Sequence, residues 1–223
     1  ADMASLVHAH MKSKGIQLLL GKSVAGFEDK TSGIVTNIEA DEPILSDMVI
    51  LSIGVLPDSS LAADAGLELG FKNSIAVNDW MQTSNPDIYA VGDAIAVTNF
   101  VTKQEAYIPL AGPANKQGRI AADHICGRNV SFKGTQGTSI LKLFDMTVAT
   151  TGIHELQAKQ SNLDYDTIIT YSPSHATYYP NAKNMMIKTI FEKQSGKILG
   201  AQLVGYEGVD KRCDVLATAI RAG

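Results

Sequence analysis

Apolar residues at Met3, Leu6, Val7 and Met11 recur at helical spacing. They predict a helix at the start of the chain, with Gly15 as its C-cap. A short, mostly apolar run at 16–20 follows, broken only by Gln17, and reads as a parallel strand. Stretches 23–28 and 34–40 flank the turn-rich DKTSG of 29–33 and predict a hairpin. The continuous run DMVILSI at 47–53 reads as a strand buried on both faces, ending at Gly54 with Pro57 soon after. A short helix at 59–65 closed by Gly66, and a short strand at 75–77, come next.

DIYAV at 87–91 reads as a strand that stops at Gly92-Asp93-Ala94. Residues 113–125 give the clearest helix of the middle region, with Pro113 expected at its first position, where a missing N–H is harmless. Its small residues Gly118, Ala121 and Ala122 predict a close-packed neighbour, and Ile120 and Ile125 are expected to face a sheet. The glycines at 127, 134 and 137 mark a change of texture. Beyond them, 140–150 alternates like one strand, 155–160 is a short helix and 167–171 a strand. A hairpin pairs 185–192 with 197–204 across the turn KQSG, and 209–221 is a final helix. The fold class expected is α/β followed by α+β with an antiparallel sheet.

Composition narrows the function classes. At 223 residues the chain is long for one domain and short for two. With 45% hydrophobic and 19% charged residues it can bury a core. The net charge of -4, without a Lys/Arg cluster, argues against nucleic-acid binding. The apolar runs are too short for a helical membrane span. Two distant cysteines, Cys126 and Cys213, exclude a disulfide scaffold, a CxxC motif and a cysteine-based zinc site. They leave a reduced, cytoplasmic setting as the expectation. Both are expected as inert, partly buried thiols. His8 and His10 lie two apart and would face different directions on a helix, His154-Glu155 lacks the second histidine of a zinc motif, and His124 is expected on a helix surface.

The candidate chemistry centres on TSNPDIYAVGDA at 83–94. A strand that delivers Gly92 and Asp93 at its carboxyl end puts a bare backbone and an acceptor where α/β sheets bind ligands. Taken alone, Gly-Asp is also an ordinary turn. The whole string resembles the second flavin motif of the pyridine nucleotide-disulfide oxidoreductases, T-x-x-P-x-I-Y-A-x-G-D-A. IPLAGPANKQGR at 108–119 follows at that family's spacing, and LSIGVLP at 51–57 is similar to its G-x-x-P signal. HATYYP at 175–180 and VGYEGVDKR at 204–212 resemble the coenzyme A-disulfide reductase and persulfide reductase branch. NADH oxidases and peroxidases usually lack the Tyr-Tyr-Pro string and rank second.

The resemblance implies a FAD-dependent, NAD(P)H-using homodimer. In it, hydride passes from nicotinamide to flavin and electrons pass on to a cysteine, which forms a mixed disulfide with coenzyme A or a persulfide. It implies flavin contacts at Gly92, Asp93, Ala94, Leu110, Ala111 and Pro113. A helix amino terminus at Pro113 would stabilise negative charge on the pyrimidine end of the flavin. It places Ser174 against flavin from the partner subunit, and Asn115 and Lys116 near substrate. Tyr178 becomes the catalytic and substrate-binding residue, a phenol able to donate to a thiolate or to protonate one as it leaves. The plain alternative is that Tyr178 and Tyr179 are packing aromatics.

The domain assignment implied is 1–55 as the end of an NAD(P)-binding domain, 56–130 as the second segment of a split FAD domain, and 131–223 as a dimerisation domain. No G-x-G-x-x-G occurs, and no cysteine stands where the family keeps its redox cysteine. With no Met at the start and a final helix that stops at Gly223, the chain is expected to be a fragment, inactive alone. A non-enzymatic dimerisation module is the reading from a different class.

Overall fold

A computed structural model describes residues 2–223. They divide into two compact units, 8–55 and the residues up to Val7 together with Leu56–Gly223. The chain is mixed α/β, with antiparallel pairing within every sheet.

Helix α1 (Asp2–Ser13) ends as the sequence predicts. Gly15 takes φ +83°, and the Gly15 and Ile16 N–H groups donate back to Lys12 and Met11 carbonyls. In the unit 8–55, β1 (Val24–Lys30), β2 (Gly33–Ile38) and β3 (Ile44–Ser46) form an antiparallel meander in that order. The predicted hairpin is β1–β2, and Lys30 faces Gly33 across a two-residue turn.

The parallel strand expected at 16–20 and the buried strand expected at 47–53 are not formed. Both segments run without ladder partners among the described residues, and Met48, Ile50, Leu51 and Ile53 are exposed, Ile53 to 92%. A continuous apolar run needs neighbours on both edges and cover on both faces; among the described residues neither run has ladder neighbours, and only Ile16, Leu18 and Val49 are half-buried within their apolar positions.

After residue 55 the larger unit resumes with α2 (Ser60–Asp64), closed by Gly66 at φ +73° as predicted. The strand expected at 75–77 reduces to single bridges from Ile75 to Leu69 and Ile95. Residues 87–91 likewise fold back on 81–83 through one bridge, Gln82 to Tyr89, instead of joining a ladder. A short helical turn spans Gly92–Ala94, and β4 (Val97–Thr98) pairs with β5 (Glu105–Ala106).

Helix α3 (Ala111–Ile125) starts two residues earlier than predicted, which makes Pro113 its third residue. Its N–H would lack a helical acceptor there too. Ala121 is buried with Met81, Ile95, Val97 and Phe132, and Ile120 packs against that cluster. Gly118 and Ala122 are exposed and Ile125 is 64% exposed, so the apolar face of α3 is narrower than its composition suggested.

The remaining chain is a five-stranded antiparallel sheet, ordered β6 (Ser139–Leu143), β7 (Met146–Gly152), β10 (Ile198–Gly205), β9 (Asn184–Glu192), β8 (Tyr165–Pro173). The single strand expected at 140–150 is the β6–β7 hairpin, turned at Phe144 with φ +54°. Helix α4 (Glu155–Gln160) is capped by His154, whose Nδ1 accepts from the Gln157 N–H. Helix α5 (Val209–Ala222) follows β10.

The two faces of β9 follow strand alternation. Met185 and Ile187 pack with Ala201, Leu203, Val209 and Cys213, under α5. Met186 packs with Met3, Met146 and Val204, and Ile190 with Ile153, Ala158 and Leu199. Between Met186 and Ile190 stands Lys188, a cation on a buried face.

Candidate functional site

The string at 83–94 owes its shape first to turn chemistry. Thr83 Oγ1 accepts from the Asn85 N–H at 3.2 Å, and Asn85 Oδ1 accepts from the Asp87 N–H at 3.0 Å. The extended residues after it are bolted to α3 at two points. The Tyr89 hydroxyl meets His124 Nδ1 at 2.7 Å, and the Gly92 N–H donates to Gln117 Oε1 at 2.8 Å. His124 also stacks on Trp80, with ring centroids 5.7 Å apart. It is therefore a half-buried partner and not the free surface residue expected from its position. Gln117 is 2% exposed. Neither bolt was singled out from sequence. The signal for Gln117 was its place on the same helix face as Ala121 and Pro113.

Gly92 adopts φ +78°, and a Cβ added there would meet only the Ala114 Cβ, at 4.0 Å. The backbone in front of it is thus open to a ligand. Asp93, next in line, is exposed, and Ala94 completes the turn. This turn packs against α3. Leu110 is the N-cap of α3 and offers no side-chain hydrogen bond to the helix, so the first-turn N–H groups of Ala111 and Gly112 remain for a ligand or solvent. Gly92, Asp93, Ala94, Leu110, Ala111 and Pro113 are therefore gathered at one place. Tyr107 joins them: burial first, and then the Asp93 carboxylate, push its phenol above the usual tyrosine range.

These features suit a flavin. The open Gly92 backbone can admit a flat or extended group, the exposed Asp93 carboxylate could accept from a hydroxyl such as a ribityl one, and the α3 terminus favours negative charge. Asn115 turns back to donate to the Ala111 carbonyl at 3.0 Å. Lys116 is exposed and lines a cavity of about 460 Å³ with Gly112, Pro113, Gln136, Asp214 and Arg221. Among the described residues no group of three or more His, Cys, Asp or Glu side chains could hold a metal ion.

Tyr178 stands on a separate element, the tip of the β8–β9 hairpin. It is 86% exposed, and its ring contacts Tyr179 at a centroid distance of 5.6 Å. The tip is closed by the Ser174 N–H donating to the Lys183 carbonyl, and it is tied to α5 by Arg212, whose Nη2 donates to the Ser174 carbonyl at 2.7 Å. Ser174 is buried, with its hydroxyl engaged inside the tip.

The cysteines differ from one another. Cys213 is fully buried, and burial, with Asp214 as the lesser cause, pushes its thiol up to about 11. Cys126, at the end of α3, is exposed and not partly buried as expected. No helix among the described residues is long and apolar enough to cross a membrane.

The chain is similar to known proteins over nearly its whole length. An NADH oxidase of Methanocaldococcus jannaschii is 34% identical over 98% of this chain and 48% of its own length. A coenzyme A disulfide reductase of Staphylococcus haemolyticus is 32% identical over 98% of this chain and 49% of its own. The chain thus spans about half the length of these curated relatives. The solved structure of reduced Bacillus anthracis CoADR-RHD is 52% identical, with a TM-score of 0.95 over 99% of this chain and 39% of that one. That of an NAD-dependent persulfide reductase from A. fulgidus is 40% identical, with a TM-score of 0.96 over 99% and 41%. Residues 138–223 match the dimerisation domain of the pyridine nucleotide-disulphide oxidoreductases. With residues 1–122 matching the pyridine nucleotide-disulphide oxidoreductase family itself, the chain belongs to that family.

Proposed function

We propose that these residues form the flavin-closing and subunit-interface part of a FAD-dependent oxidoreductase that reduces coenzyme A disulfide or a persulfide with NAD(P)H. The observation that carries the reading is the Gly92–Asp93 turn set against the uncapped first turn of α3. In this reading 1–55 ends a nicotinamide domain, 56–130 is the second segment of a split flavin domain, and 131–223 is the dimerisation domain. The protein would act as a homodimer in the cytoplasm, where a nicotinamide-driven reductase finds its reductant.

The flavin, when bound, supplies two-electron transfer between a nicotinamide and a disulfide. The residues of this chain orient and stabilise. Gln117 holds the Gly92 turn in place; with flavin bound, Asp93 would accept from a ribityl hydroxyl, and the Ala111 and Gly112 N–H groups would stabilise negative charge on the ring. Ser174 holds the hairpin tip on which Tyr178 lies open to a disulfide or persulfide substrate, and the Tyr178 phenol would donate a hydrogen bond or its proton to the thiolate sulfur that leaves as the S–S bond is reduced. Asn115 and Lys116 border the approach to α3 and are proposed substrate contacts.

The names of the S. haemolyticus and A. fulgidus relatives support the thiol substrate, and that of the M. jannaschii relative favours oxygen or peroxide as the second reading. Steady-state assays of the gene product at the full length of its relatives, with coenzyme A disulfide, persulfide, peroxide and oxygen, separate them. Turnover of the first two sustains the proposal, and turnover of oxygen or peroxide alone sinks it. The 223 residues by themselves are expected to be colourless and without NADH oxidation.

A further inference from the structure

The hairpin tip at 174–183 contains a histidine that the flavin and thiol chemistry leaves unassigned. His175 is half-buried and reaches both sides of the tip. Its Nε2 lies 3.1 Å from the Pro180 carbonyl oxygen, and its Nδ1 lies 3.0 Å from Ser174 Oγ.

Donor and acceptor roles follow from chemistry. A carbonyl oxygen only accepts, so Nε2 carries the proton and donates to Pro180. In the neutral ring Nδ1 is then an acceptor, and Ser174 Oγ–H donates to it. The same Ser174 oxygen accepts from the Lys183 N–H at 3.3 Å. The result is one directed chain, Lys183 N–H to Ser174 to His175 to the Pro180 carbonyl, in which every member finds a partner. It spans the base of the tip and reaches across to the residue just beyond Tyr178 and Tyr179. Arg212 anchors its serine end to α5. Within the loop so enclosed, the Tyr179 N–H donates to the Ala176 carbonyl at 3.0 Å. Tyr178 is 86% exposed, and the contact given for its ring is with Tyr179, whose backbone lies within that loop.

We infer that His175 is a positioning residue that locks the 174–183 tip and so fixes the direction in which Tyr178 presents its phenol; the use made of that phenol rests on the function proposed above. Glutamine at 175 places a donor near the former Nε2 and retains the arm to Pro180, whereas alanine retains neither arm.

The test has two parts. In the 223-residue chain, long-range ¹⁵N–¹H spectra of the imidazole should show the Nε2–H form at His175. Hydrogen exchange of the Tyr179 and Lys183 amides should rise about tenfold or more in His175→Ala and fall back toward the parent rate in His175→Gln. An Nδ1–H ring, or exchange unchanged in His175→Ala, overturns the clamp. In the full-length, flavin-loaded protein, kcat for disulfide is read in a cycle of His175→Ala and Tyr178→Phe. Action through Tyr178 predicts that His175→Ala lowers kcat in the parent and has no further effect beside Tyr178→Phe. Additive losses overturn the positioning role. Tyr178→Phe with undiminished turnover overturns the reading of the phenol, while fast exchange in His175→Ala still supports the clamp.

Discussion

Asp2 Oδ2 lies 2.6 Å from Lys188 Nζ, so the first turn of α1 is tied to the middle of the five-stranded sheet across 186 positions of sequence. Glu155 Oε2 meets the same ammonium at 2.6 Å. The lysine side chain is 5% exposed, and its two carboxylate partners are 44% and 36% exposed. Desolvation falls mainly on the cation, and two acids share the work of compensating it. Removing either acid alone, by Asp2→Asn or Glu155→Gln, should cost about 1 kcal/mol or less, because the other remains. Removing both strands a buried charge and should cost about 3 kcal/mol, more than the sum. Urea denaturation of the three variants measures this.

The same triad sets a pH response. Lys188 holds the carboxyls of Asp2 and Glu155 below their usual values. Their contribution is therefore present above the unfolded carboxylate range, about pH 4, and is lost as pH falls through the lower folded values. Burial opposes charge on Lys188, but its two acids outweigh this and raise it. Its contribution is present below the unfolded lysine value, about pH 10.4, and is lost as pH rises through the higher folded one. Stability should plateau between these limits. Lys188→Met should flatten both limbs, which melting temperatures across pH would reveal.

Gln117→Leu should leave the Gly92 N–H without its acceptor at a cost of about 1–3 kcal/mol, read by urea denaturation. Gly92→Ala meets open space but a left-handed backbone, and should cost about 1–2 kcal/mol. In a full-length protein both Gln117→Leu and Gly92→Ala should release flavin more readily, read as the absorbance retained after dialysis.

Gly200→Ala is expected to be the harshest single-methyl change, because the new Cβ falls on the backbone of Ile153. A backbone cannot swing aside as a flexible side chain does, so a loss of about 3 kcal/mol or more is expected, visible as a lowered melting temperature.

The five-stranded sheet was largely legible because its strands carry their partners within the chain. The hairpin at 185–204 pairs locally, and the alternation of Met185, Met186 and Ile187 matches the two faces that each meets. The runs at 16–20, 47–53 and 87–91 carry equally strong strand signals, yet pattern records what a strand needs and not whether its neighbours are present. The gathering of Gly92 and Asp93 at α3 was visible as a motif. The bolts at Gln117 and His124 were not, since a polar side chain in a helix gives no sign of a partner 25 or 35 residues away. Lys188 hid in the same way: alternation assigns it to the buried face, and only the distant Asp2 and Glu155 explain how a cation is kept there.

The bare apolar stretch of Met48, Ile50, Leu51 and Ile53 has a practical consequence for handling the polypeptide. A β-rich segment without ladder partners among the described residues is a template for adding another strand. Solutions of these 223 residues should thicken into insoluble deposits as concentration rises, and lysine placed at Ile50 or Ile53 should keep them clear.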